Sequence, residues 1–178
     1  ETSLEFPGVE EELPVDVRDE LVERGLERAR AGERRHGQLA ERDGLAVRPG
    51  KGMGVALGDY DDDGRIDVFV GNDTVPNSLF HNEGTFAETA MAAGVAVDEN
   101  GRALSSMGAE FKDYDNDGRD DLFVTTLSNE RWLLFRNVGG GRFVDVGAPS
   151  RIGAQSLPWS GWSAGAFDFN NDGFKDYF

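Results

Sequence analysis

The sequence predicts an all-β fold assembled from four-stranded antiparallel units, and three observations carry that prediction. A nine-residue acidic pattern begins at Asp59, Asp113 and Asp168, at spacings of 54 and 55 residues. Around it the chain runs in short alternating apolar stretches broken by Gly, Asn and Asp, the pattern of half-buried strands and tight turns. Glycine supplies 24 of the 178 residues, about twice the usual ~7% share, as a turn-rich fold requires.

Taken in order, residues 1–50 form an acidic segment outside the repeat. Glu10–Glu12 open a charged stretch from Asp16 to Ala40 in which Val22, Leu26 and Ala29 share one helical face, with Pro14 and Asp16 as start signals. Such a helix reads as a solvated element lying on the body of the protein, with a partner-binding helix as the alternative. Residues 51–178 carry the repeat. In the first copy strands are expected at Met53–Tyr60, Ile66–Gly71, Asn77–His81 and Thr85–Ala90, and in the second near 107–114, 121–126, 131–136 and 142–146. Flanking residues keep register: Met53-Gly54 answers Met107-Gly108, and Leu79-Phe80-His81-Asn82 answers Leu134-Phe135-Arg136-Asn137. Four short antiparallel strands in about 50 residues is the signature of a β-propeller blade, which needs neighbours on both faces, and a closed ring takes about 4 to 8 of them. Two repeats are complete and a third stops at Phe178, so 51–178 reads as a partial propeller truncated at its C-terminus. The expectation is a piece of a longer protein, with a second chain covering the open blade edges as the alternative.

Composition narrows the function. The formal net charge is −16, from 34 Asp+Glu against 18 Lys+Arg, which argues against nucleic acid and against an anionic membrane surface. Hydrophobic residues make up 38% of the chain and aromatic residues 10% of it, 12 of them Phe, which suits a packed domain rather than disorder. The absence of cysteine excludes disulfides, thiolate metal sites and a cysteine nucleophile, and leaves the redox compartment open. Two histidines, His36 and His81, are too few for an imidazole zinc centre. No apolar run reaches the ~18 to 20 residues of a transmembrane helix. Glu1 as first residue reads as a mature, processed or partial chain.

The repeated loops fit D-x-[DN]-x-D-G-x-x-D. Positions 1, 3, 5 and 9 offer side-chain oxygens and position 7 a backbone carbonyl, enough to surround a hard cation with about six or seven oxygens. The candidate metal ligands are Asp59, Asp61, Asp63, the Arg65 carbonyl and Asp67; Asp113, Asp115, Asp117, the Arg119 carbonyl and Asp121; and Asp168, Asn170, Asp172, the Phe174 carbonyl and Asp176. Glycine at position 6, Gly64, Gly118 or Gly173, permits the sharp turn between ligands. Tyr60, Tyr114 and Phe169 are expected to point away into packing, and Asp62, Asn116 and Asp120 to be solvated. All-oxygen ligation in a flexible acidic loop favours Ca²⁺ over Mg²⁺, zinc, copper or iron, with up to three ions. An EF-hand would need an acidic residue at position 12 and flanking helices, but Val70 and Val124 stand there in apparent strands. Asn170 lowers the ligand charge of the third loop, which should bind more weakly.

With Gly52–Tyr60, Gly71–Asn82 and Gly161–Phe169, these loops resemble the FG-GAP/VCBS repeats of integrin-α-type propellers, and more narrowly the bacterial ASPIC/UnbV, cartilage acidic protein-like, family. The resemblance spans about residues 50–178. It implies a calcium-stabilised propeller, usually seven-bladed and non-enzymatic, placed outside the cytoplasm (secreted, periplasmic or on the outer surface) and used for adhesion or protein–protein contact. The short blade count and the repeat-free first 50 residues depart from the family. Other signals weigh less. Gly50-Lys-Gly-Met-Gly leads into a strand and lacks dinucleotide spacing. Asn72-Asp73-Thr74 is a lone glycosylation sequon. Trp132, Trp159 and Trp162 suit packing better than a sugar platform. No nucleophile elbow is present. The expected function is thus a calcium-binding interaction or scaffold module that is not an enzyme. The alternatives are a carbohydrate-binding or carbohydrate-active propeller and a subunit completed by a partner chain.

Overall fold

The computed structural model describes residues 50–178, so the helix expected within residues 1–50 lies outside the described residues. The described chain is all-β, with two four-stranded antiparallel sheets followed by a two-stranded one. The first blade comprises β1 (Gly52–Gly58), β2 (Asp67–Asn72), β3 (Ser78–Asn82) and β4 (Phe86–Glu88), paired in sequence order. The second repeats it with β5 (Ala109–Lys112), β6 (Asp121–Val124), β7 (Leu133–Gly139) and β8 (Arg142–Asp145). In the third, β9 (Ala166–Phe167) pairs with β10 (Asp176–Tyr177), and Gly165 and Phe178 exchange backbone hydrogen bonds that extend the ladder.

Two short helices fill the inter-blade connections, α1 (Ala90–Ala93) and α2 (Ile152–Ser156), and α1 starts at the Ala90 expected to end the fourth strand. The first arises because Glu88 bends back: its carboxylate accepts from the Ala90 and Leu79 amides at 2.9 and 3.3 Å, ending β4 before the Ala90 expected of it. Gly94, in the left-handed conformation at φ 85°, closes the helix through its N–H to the Ala90 carbonyl.

Alternation along the strands sends Phe69, Leu79, Leu122, Val124, Leu133 and Phe135 into one core shared by both blades, joined by Val95 from the connection. Each fully buried side chain of this size contributes about 1.5–3 kcal/mol. Blades stack through their first strands, β1 against β5. The stacking needs glycine: a Cβ on Gly54 would lie 2.2 Å from the Met107 carbonyl oxygen, and one on Gly108 would lie 2.5 Å from the Ser163 carbonyl carbon. Stacking buries one blade's face and not the other's. Met107 and Phe111 are only 4% and 7% exposed against blade one, whereas their counterparts Met53 and Leu57 are 52% and 65% exposed.

Candidate metal centres

Each acidic loop joins the first and second strands of its sheet, so the strand ladder holds positions 1 and 9 close together. The three loops share one backbone path. Position 4 is left-handed in all of them, with φ of 60°, 60° and 59° at Asp62, Asn116 and Asn171. Position 6 is left-handed too, at Gly64, Gly118 and Gly173. Aspartate and asparagine tolerate that region better than other non-glycine residues, so position 4 carries a conformational signal that ligand counting passes over.

The same hydrogen bonds recur. The position-1 carboxylates accept from the amides of positions 5 and 6: Asp59 from Asp63 and Gly64 at 2.9 and 2.8 Å, Asp113 from Asp117 and Gly118 at 3.1 and 2.9 Å, Asp168 from Asp172 and Gly173 at 3.0 and 2.9 Å. Position 5 accepts from the amide of position 7, Asp63 from Arg65, Asp117 from Arg119 and Asp172 from Phe174. Position 9 accepts from the amide of position 2, Asp67 from Tyr60, Asp121 from Tyr114 and Asp176 from Phe169. In the complete blades its other oxygen accepts from the third strand, Asp67 from the Asn82 amide at 2.8 Å and Asp121 from the Asn137 amide at 2.7 Å. Asp67 and Asp121 are fully buried. Burial raises both carboxyl groups above the ordinary range, and Asp121 reaches about 6.

Position 3 differs from the rest. The Oδ1 atoms of Asp61 and Asp115 are buried and accept no hydrogen bond. An unpartnered buried carboxylate oxygen costs free energy that a bound cation would recover. Asp61 and Asp115 belong to three-residue groups that offer ligand atoms all within 4.8 Å of one another: Asp59, Asp61 and Asp63; Asp113, Asp115 and Asp121; and Asp61, Asp67 and His81. The residues therefore fit a hard cation in the first two loops. In the third, Asp168, Asp172 and Asp176 form no such group among the described residues, and Asn170 at position 3 accepts from the Asp172 amide and donates to the Asp172 carboxylate.

Several expectations change. Tyr60 is buried as expected, Tyr114 is half-buried, and Phe169 is 70% exposed. Nothing packs over Phe169 except Phe167 and Phe178 among the described aromatic residues. Asn116 is not merely solvated: its Nδ2 donates to the Gly173 carbonyl at 2.8 Å, linking the second loop to the third. The side chains of Arg65 and Arg119, noted in the sequence only for their carbonyls, pair with Asp63 and Asp117 and donate through Nε to the Asn82 and Asn137 carbonyls. Asn72 of the sequon is buried with its Nδ2 bound to the Pro76 carbonyl at 2.9 Å, so it is no glycan acceptor in this fold. His81 and Arg136 occupy matching places beside the first and second loops. The repeated Leu-Phe-x-Asn run, whose third place holds one basic residue in each copy, is the sequence signal for them.

Comparison with known proteins agrees with this architecture. The model of the FG-GAP-like repeat matches residues 59–124 and 113–178, each match starting at the first carboxylate of a loop. The chain is similar to cartilage acidic protein 1 of Mus musculus, 32% identical over 164 residues that cover 86% of this chain and 23% of the relative. The Homo sapiens protein of that name is 31% identical over the same shares, and the Xenopus tropicalis one 32% identical over 68% of this chain and 18% of the relative. The chain thus spans about a quarter or less of the length of these curated relatives. Two in-register matches that together take in both complete acidic loops and the third place the chain in the FG-GAP-like repeat family.

Proposed function

We propose that this segment is a calcium-binding, non-enzymatic propeller module that works outside the cytoplasm in protein–protein contact or scaffolding. The observation that carries the calcium reading is the pair of buried, unpartnered carboxylate oxygens on Asp61 and Asp115, set among converging carboxylates in two loops of the same conformation. Asp59, Asp61, Asp63 and Asp67 would hold one ion and Asp113, Asp115, Asp117 and Asp121 another, with the Arg65 and Arg119 carbonyls completing each set. A bound cation would neutralise charge and tie the first two strands of a blade; the chain's own part is to hold the carboxylates together. The contact role rests on the repeat family, and placement outside the cytoplasm on the same resemblance. No described helix is long and apolar enough to cross a membrane.

Chelation should lower the melting temperature, and Asp59→Ala with Asp113→Ala should reproduce the loss in calcium-containing buffer. An unchanged melting curve in excess chelator, with no calcium found by elemental analysis, would sink the structural-ion reading.

A second reading has a specific observation behind it. Phe123, Trp132, Ile152, Trp159 and Tyr177 line a cavity of about 360 Å³. An aromatic face open to solvent, as on Trp159 at 65% exposed, suits stacking against a sugar ring. Binding on a glycan array that disappears in Trp159→Ala would favour a carbohydrate-binding module; an empty array removes this reading.

A further inference from the structure

The two complete loops are equivalent in backbone and in ligand residues, yet a different basic residue stands beside each. The third strand of each blade carries a basic residue there, His81 in β3 and Arg136 in β7. In the second blade Arg136 Nε lies 2.7 Å from Asp115 Oδ2 and its terminal nitrogen 3.4 Å from Asp117 Oδ2. Arg119 also pairs with that Asp117 oxygen. The second loop therefore faces two guanidinium groups. In the first blade Arg65 is the one guanidinium among the described residues that reaches the loop, at Asp63, and the place of Arg136 holds the His81 imidazole, 3.6 Å from Asp61 Oδ2 and 3.3 Å from Asp67 Oδ1. A guanidinium presents a rigid fork of donors and no atom that can bind a metal ion, whereas an imidazole nitrogen can itself ligate metal.

We propose that Arg136 is a built-in counter-cation of the second loop, so that this loop holds its shape without calcium and binds the ion more weakly, while the first loop, with His81 in that place, is the calcium-dependent one. This rests on the calcium reading of the loops. Two physical effects act together. Arg136 occupies Asp115 Oδ2, one of the oxygens an incoming ion needs, and its charge opposes a dication a few ångströms away. With solvent screening at a half-exposed site, the combined effect on affinity is several-fold to about tenfold. Asp115 retains its unpartnered Oδ1, so the second loop stays competent for the ion.

The geometry makes Arg136 a positioning residue, and the test exchanges the two basic residues. Calcium alone is titrated into the chelator-stripped chain by calorimetry, and melting is followed with and without chelator. Asp113→Ala assigns the second-loop step of the isotherm. The wild-type chain should show two classes of site, and Arg136→His should tighten the weaker class by several-fold or more. The same variant should melt lower than wild type in chelator and no lower in calcium, a split that general destabilisation would not produce. His81→Arg should weaken the tighter class and raise the chelated melting temperature. Calcium binding with affinities unmoved by either exchange, or a melting loss equal in both buffers, overturns the counter-cation role and leaves the calcium reading standing. No binding at any site overturns both.

Discussion

Asp121→Asn, followed by melting temperature against pH in chelator and in calcium, tests the energetic core of the candidate site. Asp121 is fully buried, accepts the Asn137 amide at 2.7 Å and the Tyr114 amide at 3.1 Å, and lies near Asp115 and Asp117. Burial foremost, with those two carboxylates adding to it, raises its pKa from 3.8 to about 6 against the pull of the two hydrogen bonds. The folded chain without calcium therefore holds this proton more tightly than the unfolded chain does. The resulting stability is fully present below about pH 4 and is lost as pH rises to about 6. The difference between the two pKa values corresponds to about 3 kcal/mol, which for a unit of this size is on the order of 10 °C in melting temperature. Asparagine cannot titrate, so in chelator the variant should gain on wild type by about this amount between pH 4 and pH 6.5. Comparison with the variant cancels the other carboxylates. Calcium favours the ionised carboxyl, so in calcium the gain should shrink or reverse. Parallel wild-type and variant curves across that range in chelator would refute the buried-carboxylate reasoning.

Two further expectations concern the frame around the loops. Gly54→Ala places a methyl 2.2 Å from the Met107 carbonyl oxygen, and a backbone atom on a neighbouring blade yields little, so a loss of about 2–4 kcal/mol is expected from denaturant unfolding. A neutral result would mean that the blades slide freely. Arg131 donates to both Asp145 oxygens at 3.2 and 2.6 Å, with Glu99 3.4 Å and the buried Asp98 3.9 Å away. Arg131→Ala would leave buried carboxylates uncompensated at a cost of about 3–5 kcal/mol. Equilibrium unfolding at pH 7 measures it, and a loss below about 1 kcal/mol would show that water reaches these groups.

Much of the site was legible in the sequence because its bonding is local. Every hydrogen bond within an acidic loop spans at most seven residues, so the nine-residue pattern carries nearly the whole loop conformation. The strands followed from apolar alternation in the same way, and their ends moved where a side chain intervened, as Glu88 does in turning the end of β4 into α1. Other features were not legible. Phe169 has the same local pattern as Tyr60, and its exposure depends on what packs beside it.

By itself the sequence determined the all-β class, the repeat, the position of each acidic loop and the oxygen-rich chemistry of its ligands, because period, turn residues and ligand spacing are properties of short stretches of chain. Only the tertiary structure decided which oxygens are buried without partners, which glycines let one blade touch the next, and which basic residue stands beside each loop. Arg136 reaches Asp115 from 21 residues away in the chain, and Gly54 meets Met107 from the next repeat. Such meetings are set by strand pairing and blade stacking, and these bring together residues whose separation along the chain carries no local signal of their contact.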